Sequence, residues 1–134
     1  MEHHKVFRRA VESADLDAIM RTFADDAVLH SPITFKPFVG RDAIRLLFSI
    51  LLETFEDFHY TDELTAAEGT AALVFRTRVG TRQAEGIDLI RFATDGRIAD
   101  LTVFVRPRSA SEALLAAIAP RLAAALGGSE PTPQ

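Results

Sequence analysis

The chain contains no cysteine. Disulfides, thiolate nucleophiles and cysteine-ligated metals are therefore excluded. It has a single tyrosine, Tyr60, and only two of its fifteen basic residues are lysine. The arginines are scattered along the chain, so no cluster of guanidinium forks announces an anion site. His3, His4, His30 and His59 show no paired ligand spacing, and there is no HExxH, Gly-rich phosphate loop or GxSxG. Metal, nucleotide and serine-hydrolase chemistry have nothing to stand on, and no cofactor is expected. The net charge of −4 argues against nucleic acid as a partner. No signal peptide and no apolar run of spanning length is read, so a soluble cytoplasmic protein with no membrane partner is expected.

What the chain does have is one domain's worth of patterned sequence. Its 134 residues suffice for a real core, since a chain of about 150 residues buries roughly 70% of its unfolded surface. One domain is expected over 1–128, with a disordered tail over 129–134 after the Gly127–Gly128 stop. Phe7, Ala10, Val11 and Ala14 recur at helical spacing, and Asp15 reads as the N-cap of a second helix with Leu16, Ile19, Met20 and Phe23 on its apolar stripe. Ala27 to Ser31 is a short strand ended by Pro32. Residues 32–40 form a loop whose Phe35 and Phe38 are expected to fold over something apolar. A third helix runs from Arg41 to Phe55.

The period then changes to two. Phe58–Leu64, Thr70–Val79, Gln83–Ala93 and Arg97–Arg106 read as strands. Taking Gly80-Thr81 as a two-residue hairpin loop sets a register: Leu73 faces Asp88, Phe75 faces Gly86, Thr77 faces Ala84, and Arg76 meets Glu85 on the other face. A last helix opens with a capping-box pattern, Ser109-Ala110-Ser111-Glu112, and Pro120 is expected to kink or split it.

Asp88 is the residue that does not fit a purely structural strand. Alternation puts it on the face of Ala84, Ile90 and Phe92, which the register turns inward. A carboxylate there must be paired, hydrogen-bonded or protonated. As an acid of raised pKa it would donate to a ligand oxygen; alternatively it is ionised and satisfied by a neighbour such as a tyrosine hydroxyl or a backbone amide.

Asp15-Leu16-Asp17, Phe23-Ala24-Asp25-Asp26-Ala27-Val28, Gly40-Arg41-Asp42-Ala43-Ile44 and Asp95-Gly96-Arg97-Ile98, at these intervals, resemble the nuclear-transport-factor-2-like superfamily and, within it, the SnoaL-like proteins. The resemblance covers residues 5–108. It implies an α+β fold of the cystatin-like type: a curved, mainly antiparallel sheet wrapped into a cone, with helices on its concave face. It also implies a small-molecule pocket inside the cone and a homodimer through the outer sheet face, where Val74, Ile87 and Leu89 would lie. That fold hosts enzymes, binding modules and scaffolds alike.

The segment Gly86 to Phe92 is similar to the stretch of the ketosteroid isomerases that carries a protonated acid, and Asp88 falls on that acid. The isomerase base, an Asp before Pro, is matched by Ser31 before Pro32, and the oxyanion tyrosine falls near Arg8. The Asp-Arg-Asp cluster of limonene-epoxide-hydrolase relatives is not assembled from this sequence. His30, one residue from the base position, is a candidate base in its place. Alternation lets only one of His30 and Ser31 point into the cone; the resemblance turns Ser31 inward, and a bulge before Pro32 would reverse that. The competing reading of His30 is a histidine that caps the strand end.

The expected site is thus Asp88 and His30 as catalytic groups, with Ser31, Phe35, Phe38, Phe55, Tyr60, Phe75 and Phe92 about a small hydrophobic molecule. Arg106 either steers an anion or is a solvated strand end. Two functions follow. One is acid-base work (cyclisation, isomerisation or hydration) on a hydrophobic polyketide- or terpenoid-like compound; the other is a non-catalytic dimeric binding or interaction domain. The first needs an open cavity beside Asp88, whereas the second tolerates a filled cone.

Overall fold

Strand alternation around Gly80-Thr81 builds the centre of the sheet. In the computed structural model, which describes residues 2–126, ten elements follow one another. They are α1 (His3–Glu12), α2 (Leu16–Arg21), β1 (Phe23–His30), β2 (Phe38–Val39), α3 (Arg41–Thr54), β3 (Glu56–Thr65), β4 (Ala71–Val79), β5 (Arg82–Phe92), β6 (Ile98–Arg106) and α4 (Arg108–Leu126). The β4–β5 hairpin has the expected register, with Leu73 opposite Asp88, Phe75 opposite Gly86 and Arg76 opposite Glu85. Gly80 takes φ 60°, a left-handed conformation in which glycine carries no Cβ penalty. The fold is α+β, with a six-stranded, mostly antiparallel curved sheet in the order β2-β1-β6-β5-β4-β3.

Two sheet features lie beyond the sequence patterns. The loop expected over 32–40 contains the two-residue strand β2, which pairs with Val28 and Leu29. The strand β1 is longer than its apolar core suggested, and it runs parallel to β6, with Leu29 beside Leu101 and His30 beside Thr102.

Helix α2 is capped as expected: the Asp15 carboxylate accepts from the Ala18 N–H at 3.1 Å. Helix α4 departs from expectation at both marked points. It starts at Arg108, because Pro107 occupies the turn before it and its carbonyl accepts from the Ala110 and Ser111 N–H groups. No Ser109–Glu112 box forms, and Glu112 pairs instead with Arg108 at 2.8 Å. Pro120 does not split the helix, which runs unbroken through it. Pro120 and Ala116, whose carbonyl loses its helical donor, are both exposed, so the freed acceptor faces solvent.

Contrary to the sequence expectation, α4 is long and apolar enough to cross a membrane, by length and composition alone. Its Leu114, Ile118 and Leu122 are nevertheless buried in the core. The Gly127–Gly128 stop and the tail expected over 129–134 lie outside the described residues.

Inward positions of the sheet and the apolar faces of the helices make one core. Phe7, Phe23, Leu29, Ile44, Leu47, Leu73, Phe75, Ile90 and Leu101 are essentially inaccessible. Phe7, Phe23 and Phe48 meet at ring-centroid distances of 5.8–6.3 Å, in the tilted and edge-on geometries aromatic pairs prefer.

Candidate active site

Along β5 the inward positions Ala84, Gly86, Asp88 and Ile90 are all buried. Asp88 is 6% exposed. Two strands away on β3, Phe58 and Tyr60 also turn inward. The Tyr60 hydroxyl donates to Asp88 Oδ2 at 2.7 Å. Burial pushes the Asp88 carboxyl up to about 7, although the Tyr60 hydrogen bond acts in the other direction. Burial beside the same carboxylate also pushes the Tyr60 phenol well above its ordinary value. Asp88 therefore titrates near neutrality while Tyr60 stays a hydrogen-bond donor.

One oxygen of Asp88 remains. No buried side-chain oxygen or nitrogen among the described residues lacks a partner, and Oδ1 makes no hydrogen bond to them. Oδ1 must therefore touch open space. That space is a cavity of about 230 Å³ lined by Val11, Glu12 and Ala14 from the end of α1 and the turn after it, Phe48, Leu51 and Leu52 from α3 and Phe55 just after it, and Phe58, Tyr60, Phe75, Asp88 and Val103 from the sheet. Phe58 stacks on Phe75 at 4.8 Å and meets Tyr60 edge-on at 5.0 Å. With Oδ2 accepting from Tyr60, Oδ1 is the oxygen left to face the cavity.

The structure gathers Asp88, Tyr60, Phe55 and Phe75 at one cavity and leaves the other expected residues elsewhere. His30 is half-exposed and paired with Asp100 at 3.1 Å. The alternation of β1, with Ala27 and Leu29 buried, sends it to the outer face. Ser31 lines a small apolar cleft of about 20 Å³ under α4 and not the Asp88 cavity itself, which adjoins the cleft at Leu51, Phe55 and Val103. Its hydroxyl lies 3.4 Å from that of Thr34.

Phe35 is 79% exposed, because Ile33 takes the inward position of that loop. Phe38 is half-buried against the core from β2. Phe92, at the far end of β5, packs on His3 at 5.6 Å. Arg106 is exposed and bound to Glu85 at 3.2 Å.

Two residues of the cavity lie outside the set expected from the sequence, Phe58 and Glu12. Phe58 shares the parity of Tyr60 on β3, a signal present in the sequence. Nothing in the sequence marks Glu12, whose place depends on how α1 docks over β3.

Arg8, where the resemblance put the oxyanion tyrosine, organises this corner. Its guanidinium bonds Glu63 at 2.6 Å and Glu12 at 3.2 Å and lies 5.8 Å from the Tyr60 ring centroid. The phenol of the site comes from β3 instead.

Residues 4–101 match the family model described as the SnoaL-like domain. Among solved structures, a steroid delta-isomerase from Pseudomonas aeruginosa is 38% identical, with 94% of this chain and 93% of that one aligned at a TM-score of 0.86. An uncharacterised protein with a cystatin-like fold from Silicibacter pomeroyi is 28% identical over 90% of this chain and 84% of its own, at 0.85. A putative SnoaL-like polyketide cyclase from Shewanella denitrificans shares the fold at 12% identity, with 85% of this chain and 95% of that one covered at 0.67.

Proposed function

The chain belongs to the SnoaL-like domain family, and from that premise we propose that it catalyses proton transfer on a compact, uncharged hydrophobic carbonyl compound, an isomerase- or cyclase-type reaction. The observation that carries this reading is the Tyr60–Asp88 pair at the wall of an open aromatic cavity. Asp88 is the acid: its cavity-facing Oδ1 donates to the ligand oxygen as negative charge develops there, and Tyr60 fixes the carboxyl group. The Pseudomonas aeruginosa relative, a steroid delta-isomerase, supports the reaction type.

The ligand is smaller than a steroid. At about 230 Å³ the cavity falls below the roughly 300–1,000 Å³ of sites for drug-sized ligands. Its lining contains no Lys, Arg or His, only the acids Glu12, Tyr60 and Asp88 among apolar groups, so an anionic ligand would enter unpaired. The open cavity also favours this reading over a non-catalytic module with a filled cone.

The test is the conversion of cyclohex-3-enone to its conjugated isomer, followed by absorbance. Wild type is expected to accelerate it, and Asp88→Asn to lower kcat by about 100-fold or more. Equal rates in the two proteins would reject Asp88 as the acid.

The same reading pairs two copies of the chain through the outer sheet face. Val74, Ile87 and Phe104 stand in register across β4, β5 and β6. Ile87 is 38% and Phe104 53% exposed, and they form an apolar row on strands that are central in the sheet.

A further inference from the structure

The Asp88 cavity has a second carboxylate on its helical wall. Glu12 lines the cavity at the end of α1, with its side chain 36% accessible. Any ligand in the cavity lies between the α1–α3 wall, which carries Glu12, and the sheet wall, which carries Asp88 and Tyr60. Glu12 is also held. Arg8 Nε binds its Oε2 at 3.2 Å, while Arg8 Nη1 binds Glu63 Oε1 at 2.6 Å and Nη2 reaches the Tyr60 carbonyl at 3.4 Å. Behind them the buried His4 meets Glu63 Oε2 at 3.3 Å. This clamp fixes one oxygen of Glu12. The other, Oε1, makes no hydrogen bond to the described residues. Glu12, exposed where Asp88 is buried, has one oxygen tethered to the protein and one without a hydrogen bond, at a position that borders both the cavity and the surface hollow lined by His3, Val6, Arg9 and Ser13.

We infer that Glu12 is the proton-abstracting base of this cavity and that it faces the Asp88–Tyr60 pair across the bound ligand. The inference rests on the proposed function above. It also accounts for a second feature: the residue that stands at the isomerase base position, Ser31, carries no carboxylate and lines the small adjoining cleft, and His30 faces outward.

In the step, Glu12 removes a proton from the carbon between the carbonyl and the alkene of a β,γ-unsaturated ketone. The C–H electron pair becomes a new C=C bond, and the carbonyl pair moves onto oxygen, which accepts the hydrogen bond from Asp88. Glu12 then returns the proton to the γ-carbon and the carbonyl re-forms. Atoms and electrons balance with no further reactant.

The ionisable groups about Glu12 are Arg8 on its own helix, Glu63 and Tyr60 on β3, and Asp88 on β5. Only Arg8 is paired with it directly. An i,i+4 ion pair with no role in the cavity predicts a small effect on stability and none on turnover. The test therefore reads turnover and its pH profile, using cyclohex-3-enone and the whole 134-residue chain. Glu12→Gln is expected to lower kcat by about 100-fold with KM within about twofold, and to remove the acid limb of the kcat profile. Glu12→Asp should recover part of the rate, and Glu53→Gln, an exposed carboxylate outside the cavity, should match wild type.

A Glu12→Gln protein that keeps kcat within about threefold, or keeps the acid limb, overturns the inference while Asp88-dependent turnover still supports the proposed function. Absence of wild-type turnover overturns both. A second probe, 4-nitrophenol, reports its own ionisation by colour. Glu12→Gln should lower the pH at which the bound phenol ionises, since an anion facing it is gone, and an unchanged midpoint overturns the placement of Glu12.

Discussion

Tyr60 reaches Asp88 over the intervening strand. The two residues sit on β3 and β5, with β4 hydrogen-bonded between them, yet phenol and carboxylate meet at 2.7 Å. Only a sheet curved toward its inner face brings side chains of next-nearest strands into hydrogen-bond contact. The curvature that makes the cavity thus also makes the pair that serves it.

That pair gives stability a pH dependence of unusual sign for an aspartate. Folding raises the Asp88 pKa from 3.8 to about 7. Between those values the folded protein holds a proton that the unfolded chain has released, so stability falls as pH rises through this window. At about 1.4 kcal/mol per pH unit the loss is at most about 4 kcal/mol. Asp88→Asn keeps an acceptor for Tyr60 and removes the burdened ionisation. Denaturant titrations should find it more stable than wild type at about pH 8, by about 2–4 kcal/mol, with the advantage gone at about pH 4. Parallel stability curves would refute the assignment.

Tyr60→Phe removes the one hydrogen bond that favours the Asp88 carboxylate. The midpoint of Asp88, followed by carbon NMR of its carboxyl group, should move up from its wild-type value. The fold should lose about 1–3 kcal/mol, the cost of stripping a buried acceptor of its donor. A midpoint that moves down would contradict the geometry.

Gly86 leaves room for Phe75 to wall the cavity. A Cβ at position 86 would stand 2.2 Å from Phe75 Cζ and 2.4 Å from the Phe104 carbonyl oxygen. Both contacts are impossible, and the second is to backbone. Gly86→Ala should cost about 3 kcal/mol or more, read as a drop in melting temperature. An alanine variant within about 0.5 kcal/mol of wild type would show that β5 and β6 can separate at no cost.

The outer-face row offers a test that leaves the cavity alone. Phe104→Glu, or Ile87→Glu, places a charge at the centre of the apolar row and should convert a dimer to a monomer in light scattering at micromolar concentration. A wild type that is already monomeric would remove the proposed pairing.

How far the chain could be read depended on the range of the forces involved. The alternation of β5, the Gly80-Thr81 turn and the Asp15 cap are local, and each stands where its neighbours along the chain put it. The strand β2 has two residues and no periodicity of its own; it exists because Val28 and Leu29 offer an edge. Pro120 is tolerated because it falls on the exposed side of a helix held by Leu114, Ile118 and Leu122. The site divided the same way. Asp88 was legible as a misplaced charge on an apolar face, and Tyr60 as the sole phenol. His30 and Ser31 stand at a position marked by the family pattern, and neither lines the cavity that holds the acid. Glu12 had no local signal because its role comes from the docking of a helix.

The parallel pairing of β1 with β6 sets an order of assembly. Leu29 has Phe38 of the two-residue β2 on one side but gains its partner on the other side only when Leu101 arrives, and closing so long a loop is slow relative to forming a hairpin. During synthesis the β4–β5 hairpin, with Asp88 on it, can form while β1 has only the two-residue β2 beside it. Mutations that slow the β1–β6 closure would therefore prolong the exposure of a half-built apolar face, and would surface as aggregation during expression before any change in the finished protein.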